Sequence, residues 1–205
     1  MAMIFTTPNT LLGTLQPKSE TSRLLSAIII AVLGTVLLAI SAQLKIPFLP
    51  VPATFQTFVV AVLAAAFGWR IAVATVALYL AEGALGLPVF AGGGGAAYLL
   101  GPTGGFLIAM LPAAFVIGKL SDMGASRKIV PLFGAMLLGD AIIFAVGFAW
   151  LLTFAGSVSW LDQANVFASA YKIAVEPFIV WDLLKMAFAA ITVFGGWQLV
   201  KSRKG

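Results

Sequence analysis

The sequence predicts an all-α integral membrane protein, a compact bundle of six transmembrane helices with both termini in the cytoplasm. Three observations carry that prediction. Of the 205 residues, 61% are hydrophobic and 9% charged, against about 25% charged in soluble domains. The apolar residues gather into six long runs with short breaks between them. The basic residues fall almost entirely on one side of those runs.

In chain order, the opening "MAMIFTTPNTLLGTLQPKSETSR" has no basic stretch leading into an apolar core, so it does not read as a cleaved signal peptide. Residues 1–21 are read as a mobile cytoplasmic tail and residues 22–205 as the transmembrane domain. The first run covers roughly 22–44. Within it "SAIIIAVLG" spaces Ala27, Ala31 and Gly34 so that another helix can approach closely, either inside the bundle or from a separate subunit. A proline-rich loop, "KIPFLPVPATFQT", leads into the shortest run, roughly 54–68. Gln56 and Thr57 open that run and either line a pocket or cap a helix. The third run, roughly 70–86, carries Glu82 near its outer end, as a solvated helix end or a ligand contact. After the glycine-rich loop "GLPVFAGGGGAAYLLGPTGG" comes the fourth run, roughly 103–121. The fifth, roughly 130–153, holds Asp140 deep inside, where a bond to a neighbouring helix is expected ahead of a substrate contact. The mildly polar stretch at 154–174 predicts a short interfacial helix, and the sixth run covers roughly 175–200. Runs too short to cross upright require close neighbours.

Counting charges sets the orientation. With the N-terminus inside, nine basic residues lie on the cytoplasmic side: Lys18, Arg23, Arg70, Lys119, Arg127, Lys128, Lys201, Arg203 and Lys204. Two, Lys45 and Lys172, lie outside, and Lys185 falls within a run. This asymmetry explains the net charge of +5 as a topology signal, so nucleic acid is not a predicted partner. The long loops all fall outside, where stiff proline and glycine turns predict a lid over an outward-facing pocket. Phe90 and Tyr98 stand on the glycine loop and are candidates to cover a ligand. That loop lacks the G-K-[ST] ending of a phosphate-binding loop, so nucleotide binding is not predicted there.

The last run, "VEPFIVWDLLKMAFAAITVFGGWQLV", contains an acid and a base. Asp182 and Lys185, at i and i+3, are about 60° apart in projection and about 4.5 Å apart along the axis, on one face. Counted from Pro177, they lie roughly 7 Å and 12 Å into the helix, in the outer half of the bilayer. Facing lipid, each would cost on the order of 3 kcal/mol. They are therefore expected to face the bundle interior or a hydrated cavity, either as a structural ion pair or as a site for a small polar ligand with N–H and C=O groups. Trp181 stands beside them as a flanking aromatic.

The chain has no cysteine and no histidine. That removes thiolate nucleophiles, the commonest metal ligand and the commonest general base. No catalytic residue, metal or cofactor is predicted.

"IPFLPVPATFQT", "GALGLPVFAGGGG", "GPTGGF" and "WDLLK", in this order and spacing, resemble the BioY family, the biotin-specific S components of energy-coupling factor (ECF) transporters. The resemblance runs from about residue 25 to residue 200. It implies an ECF S-component fold in a bacterial cell membrane, with biotin captured from outside and no enzymatic activity. It implies that Asp182 and Lys185 line the biotin site and that Ala27 and Ala31 dock on a transmembrane coupling subunit, with ABC-type ATPase subunits supplying energy. Family sites also draw a polar residue from the outer-loop region, where this sequence offers Tyr98 and backbone groups. Gln56, Tyr98, Phe90 and Trp181 complete the candidate substrate-binding set. Asp182 would accept from a ureido N–H; Lys185 would donate either to the ureido carbonyl or to the valerate carboxylate. The alternatives are an S component for another vitamin, an intramembrane enzyme using Asp182, Asp140 or Glu82, and a structural subunit that binds no small molecule.

Overall fold

Apolar runs in a bilayer satisfy their backbone groups internally, and helices do so within one segment. The computed structural model describes residues 9–15, 19–46 and 51–202; Lys18, Arg203, Lys204 and residues 47–50 of the first outer loop lie outside the described residues. In chain order come α1 (Leu11–Leu15), α2 (Glu20–Gln43), a two-stranded hairpin of β1 (Lys45–Ile46) and β2 (Ala53–Thr54), α3 (Gln56–Phe67) and α4 (Trp69–Ala84). Then follow α5 (Ala96–Leu99), α6 (Gly104–Asp122), α7 (Ile129–Leu152), α8 (Val166–Ala174) and α9 (Ile179–Ser202). The six apolar runs correspond to α2, α3, α4, α6, α7 and α9, and the interfacial helix to α8.

Four segments are long and apolar enough to cross a membrane: Glu20–Gln43, Gly104–Asp122, Ile129–Leu152 and Val166–Ser202. With 12 residues, α3 falls short of an upright span, and α4 has 16. Both are sheltered. α3 packs on α6 and α9, and α4 on α2 and α6.

Small residues set how closely the helices approach. A methyl at Gly118 of α6 would strike the Trp69 backbone at the start of α4, and one at Gly34 of α2 would strike Thr75 of α4. Ala27 is buried and Ala31 half-buried near the same side as Gly34. Gly34 thus seats α2 closely against α4, and Ala27, expected with Ala31 as a docking face, is buried. Leu24, Leu25, Ile28, Ile29, Val32 and Leu33 form the exposed apolar side of α2.

The centre of the bundle is filled. Ile117, Leu132, Met136, Met186 and Val193, from α6, α7 and α9, are each at most 2% exposed. At the end rich in basic residues, the Asn9 amide donates to Asp122 O (2.8 Å), and the Ser126 hydroxyl donates to Asn9 O (3.2 Å). Trp197 Nε1 donates to Ser126 Oγ (3.3 Å), and the Arg127 guanidinium lies 5.5 Å from the Trp197 ring centroid. Residues 9–15, read from sequence as part of a mobile tail, are thus fastened across this end, because Asn9 satisfies groups left over at the α6–α7 turn.

Candidate functional site

At the opposite end a cleft of about 570 Å³, counting its open mouth, lies between the hairpin, α3, α6, α7 and α9. An aromatic chain forms part of its apolar lining. Phe106 of α6 meets Phe144 of α7 edge-on at 6.4 Å, and Phe144 meets Phe178 at 6.1 Å. Asp182 and Lys185 line the cleft from α9, and Gln56 and Thr57 line it from α3.

Asp182 is 2% exposed and Lys185 8%, and Lys185 Nζ sits 2.6 Å from Asp182 Oδ1. Asp182 lies in the first turn of α9, where the positive end of the helix dipole favours a carboxylate. Thr57 Oγ1 donates to Asp182 Oδ1 (2.7 Å) and accepts from Lys185 Nζ (2.9 Å). Lys185 also donates to Thr54 O (2.9 Å). The three donors of the ammonium are therefore all engaged. On Asp182, both bonds among the described residues fall on Oδ1, leaving Oδ2 as an acceptor.

A second set of bonds holds the walls. Thr54 Oγ1 donates to Gln56 Oε1 (3.1 Å), Gln56 Nε2 donates to the Tyr79 hydroxyl (2.8 Å), and that hydroxyl donates to Val89 O (2.9 Å). Hairpin, α3, α4 and the glycine loop are thereby linked through buried groups. Sequence reasoning left Gln56 and Thr57 between lining and capping. Neither caps: Phe55 is the N-cap residue of α3 and makes no side-chain cap bond.

Tyr98 lines the cleft, half-buried on α5. Phe90 stands behind it. It is fully buried, stacked on Tyr98 at 5.3 Å and edge-on to Tyr79 at 5.4 Å. The Phe90 ring occupies the space that a Cβ at Gly83 would take. Its role is to brace Tyr98, away from the cleft lining. Trp181 is 52% exposed and turns with Leu184 and Phe188 into a lateral apolar groove beside the hairpin. The reason is angular: Trp181 is one position from Asp182, about 100° around the helix.

Glu82 accepts from Thr35 of α2 (3.1 Å) and does not line the cleft. Asp140 is buried, and its Oδ1 has no hydrogen-bond partner among the described residues, so the expected bond to a neighbouring helix is absent. It stands within electrostatic reach of Asp182 and Lys185. Sequence reasoning missed Thr54 and Tyr79. Tyr79 did carry a signal, since a phenol within an apolar run needs a bonding partner. The role of Thr54 depends on the hairpin's path and left none.

The sequence profile of the BioY family matches residues 14–202. A probable biotin transporter BioY of Pyrococcus horikoshii is 36% identical over 156 residues, covering 76% of this chain and 86% of that protein. The biotin transporter BioY2 of Lactococcus lactis is 34% identical over 180 residues, covering 86% and 91%. Among solved structures, the S component for biotin from an ECF-type ABC transporter superposes with a TM-score of 0.70 at 26% identity, covering 88% of this chain and 92% of that one.

Proposed function

The chain belongs to the BioY family, and from that premise we propose that it is a membrane subunit for biotin uptake, which captures biotin in the outer cleft and delivers it inward. It acts as a transporter component and not as an enzyme. The observation that carries this reading is the buried Asp182–Lys185–Thr57 cluster, which lines a largely apolar cleft.

Biotin matches that cluster group by group. One ureido N–H is accepted by Asp182 Oδ2. The ureido carbonyl takes a proton donor from Lys185, which exchanges one of its present acceptors, Thr54 O or Thr57 Oγ1. The thioether ring and alkyl chain lie against the Phe106–Phe144–Phe178 side of the cleft. Gln56 and Tyr98 shape the wall, with Phe90 acting through Tyr98 and Trp181 facing away.

The chain carries no nucleotide-binding motif, which supports the further reading that energy comes from an ECF coupling subunit and its ATPases. With Ala27 covered, the half-buried Ala31 and the exposed apolar side of α2 are the part of that helix open to such a subunit.

Biotin affinity of the detergent-purified chain, measured for wild type, Asp182→Asn and Lys185→Met with riboflavin and thiamine as competitors, tests the proposal. Loss of at least tenfold in each variant, with no competition by the other vitamins, is expected. Unchanged affinity in both variants removes the pair from the site. Displacement of biotin by another vitamin reassigns the substrate.

A further inference from the structure

Beside the hairpin, the lateral groove into which Trp181 turns has a volume of about 840 Å³, counting its open side. It shares a wall with the cleft, because Ala53, Thr54 and Lys185 line both. Leu44, Ile46 and Phe55 form one bank, and Trp181, Leu184 and Phe188 of α9 form the other. Each of these six is between 46% and 63% exposed. An apolar surface of that kind marks a contact with a partner or with lipid.

We propose that this groove seats one phospholipid of the outer leaflet with an anionic headgroup, its phosphate on Lys45 and one acyl chain between the hairpin and α9. Trp181, Leu184 and Phe188, at i, i+3 and i+7, make a single stripe on a membrane-crossing segment. Counted from Pro177, the stripe runs from roughly 6 Å to roughly 16 Å into the helix. It therefore descends to about the middle of a hydrocarbon core about 30 Å thick, the depth of one leaflet. Close helix pairs in membranes meet through small residues. This bank offers a tryptophan, a leucine and a phenylalanine, which keep a partner helix at a distance and which a flexible acyl chain can follow.

Charge selects the headgroup. Two cations line the groove, Lys185 and Lys45. Lys185 is buried and paired with Asp182. Lys45 is exposed just beyond the end of α2, and among the described residues no carboxylate pairs with it. Its ammonium donates to Ala91 O, and an ammonium has two further donors. A lysine beside lipid lays its stem on apolar surface and extends its charge to the headgroups. An acyl chain in the groove thus ends beside an uncompensated positive charge, which an anionic phosphate neutralises. The other outer cation, Lys172, is exposed on α8 and does not line the groove.

Bromine on an acyl chain quenches a nearby tryptophan, so the full-length chain in phosphatidylcholine nanodiscs provides the test. Increasing fractions of dibrominated phosphatidylglycerol or dibrominated phosphatidylcholine are added, with and without Trp181→Phe in each background. The quenching that Trp181→Phe removes belongs to the groove. In wild type it should reach half its maximum at about fivefold less phosphatidylglycerol than phosphatidylcholine. Lys45→Met should abolish that ratio, while Lys45→Arg and Lys172→Met should keep it. Equal quenching by the two lipids in wild type overturns the proposal and leaves unselective annular lipid. A preference that survives Lys45→Met also overturns it, because the anionic contact then lies elsewhere. Absence of any Trp181-dependent quenching overturns it as well and gives the groove to a protein neighbour. No biotin enters the measurement, so its outcome is separate from that of the uptake reading.

Discussion

Thr57 Oγ1 stands 2.7 Å from Asp182 Oδ1, although 125 positions separate the two residues. One hydroxyl thereby ties the start of α3 to the start of α9 and bridges both members of the buried ion pair.

Replacing Thr57 by Val removes that bridge and keeps the shape. It leaves Lys185 with one donor unused and Asp182 with one bond fewer. Stability should fall by roughly 1–3 kcal/mol and biotin affinity by about tenfold. Thr57→Ser should retain both, since it keeps the hydroxyl. Thermal unfolding and binding titrations of the two variants check this.

The ion pair should show opposite behaviour in single and double variants. Asp182→Asn or Lys185→Met alone strands a buried charge, at a cost of about 3–5 kcal/mol. The double variant strands none, so it should recover most of the thermal stability of wild type while failing to bind biotin. Equal destabilisation of singles and double would show that the pair is not electrostatically closed on itself.

Gly83→Ala places a methyl where the Phe90 ring lies. The ring must move and Tyr98, stacked on it, must follow. The expected cost is roughly 1–3 kcal/mol in stability, with weaker biotin binding. Gly134→Ala on α7 is the contrast. Nothing lies within 4 Å of its added methyl, and a helical alanine gains about 1 kcal/mol over glycine. Melting curves of both variants decide.

Asp140→Asn should raise the melting temperature by about 2–4 °C, on the order of 1 kcal/mol for a chain of this size, and leave biotin affinity within about twofold of wild type, less than 1 kcal/mol. The carboxylate oxygen Oδ1 is buried without a hydrogen-bond partner among the described residues and lies near a like charge, Asp182. Asparagine keeps an oxygen at that position but carries no charge, so the repulsion from Asp182 and the cost of burying a carboxylate are both relieved. A fall in melting temperature would assign Asp140 a stabilising bond.

What the sequence made legible follows from range. Helix positions came from lengths of apolar chain, a local property, and α2, α3, α4, α6, α7 and α9 begin and end within a few residues of those runs. That Asp182 and Lys185 share an inward face followed from helical period and the cost of charge in lipid. Thr54 and Tyr79 act through contacts that depend on how the hairpin and glycine loop fold back, and no local pattern encodes that path. Phe90 and Trp181 were misplaced for a related reason. An aromatic near an interface suits a ligand, a packing site or lipid equally well, and only the surrounding glycines and helix angle select among them. The stripe of Ala27, Ala31 and Gly34 announced a close helix neighbour without saying which, and at Gly34 that neighbour is α4.

The sealed centre formed by Ile117, Leu132, Met136, Met186 and Val193 bears on how cargo leaves. Among the described residues these side chains fill the space between α6, α7 and α9, so a ligand held in the outer cleft meets packed side chains along the bundle axis. On the uptake reading proposed above, the subunit would then work as a bucket and not as a pipe, and emptying it inward would take a shift of the whole body in the bilayer.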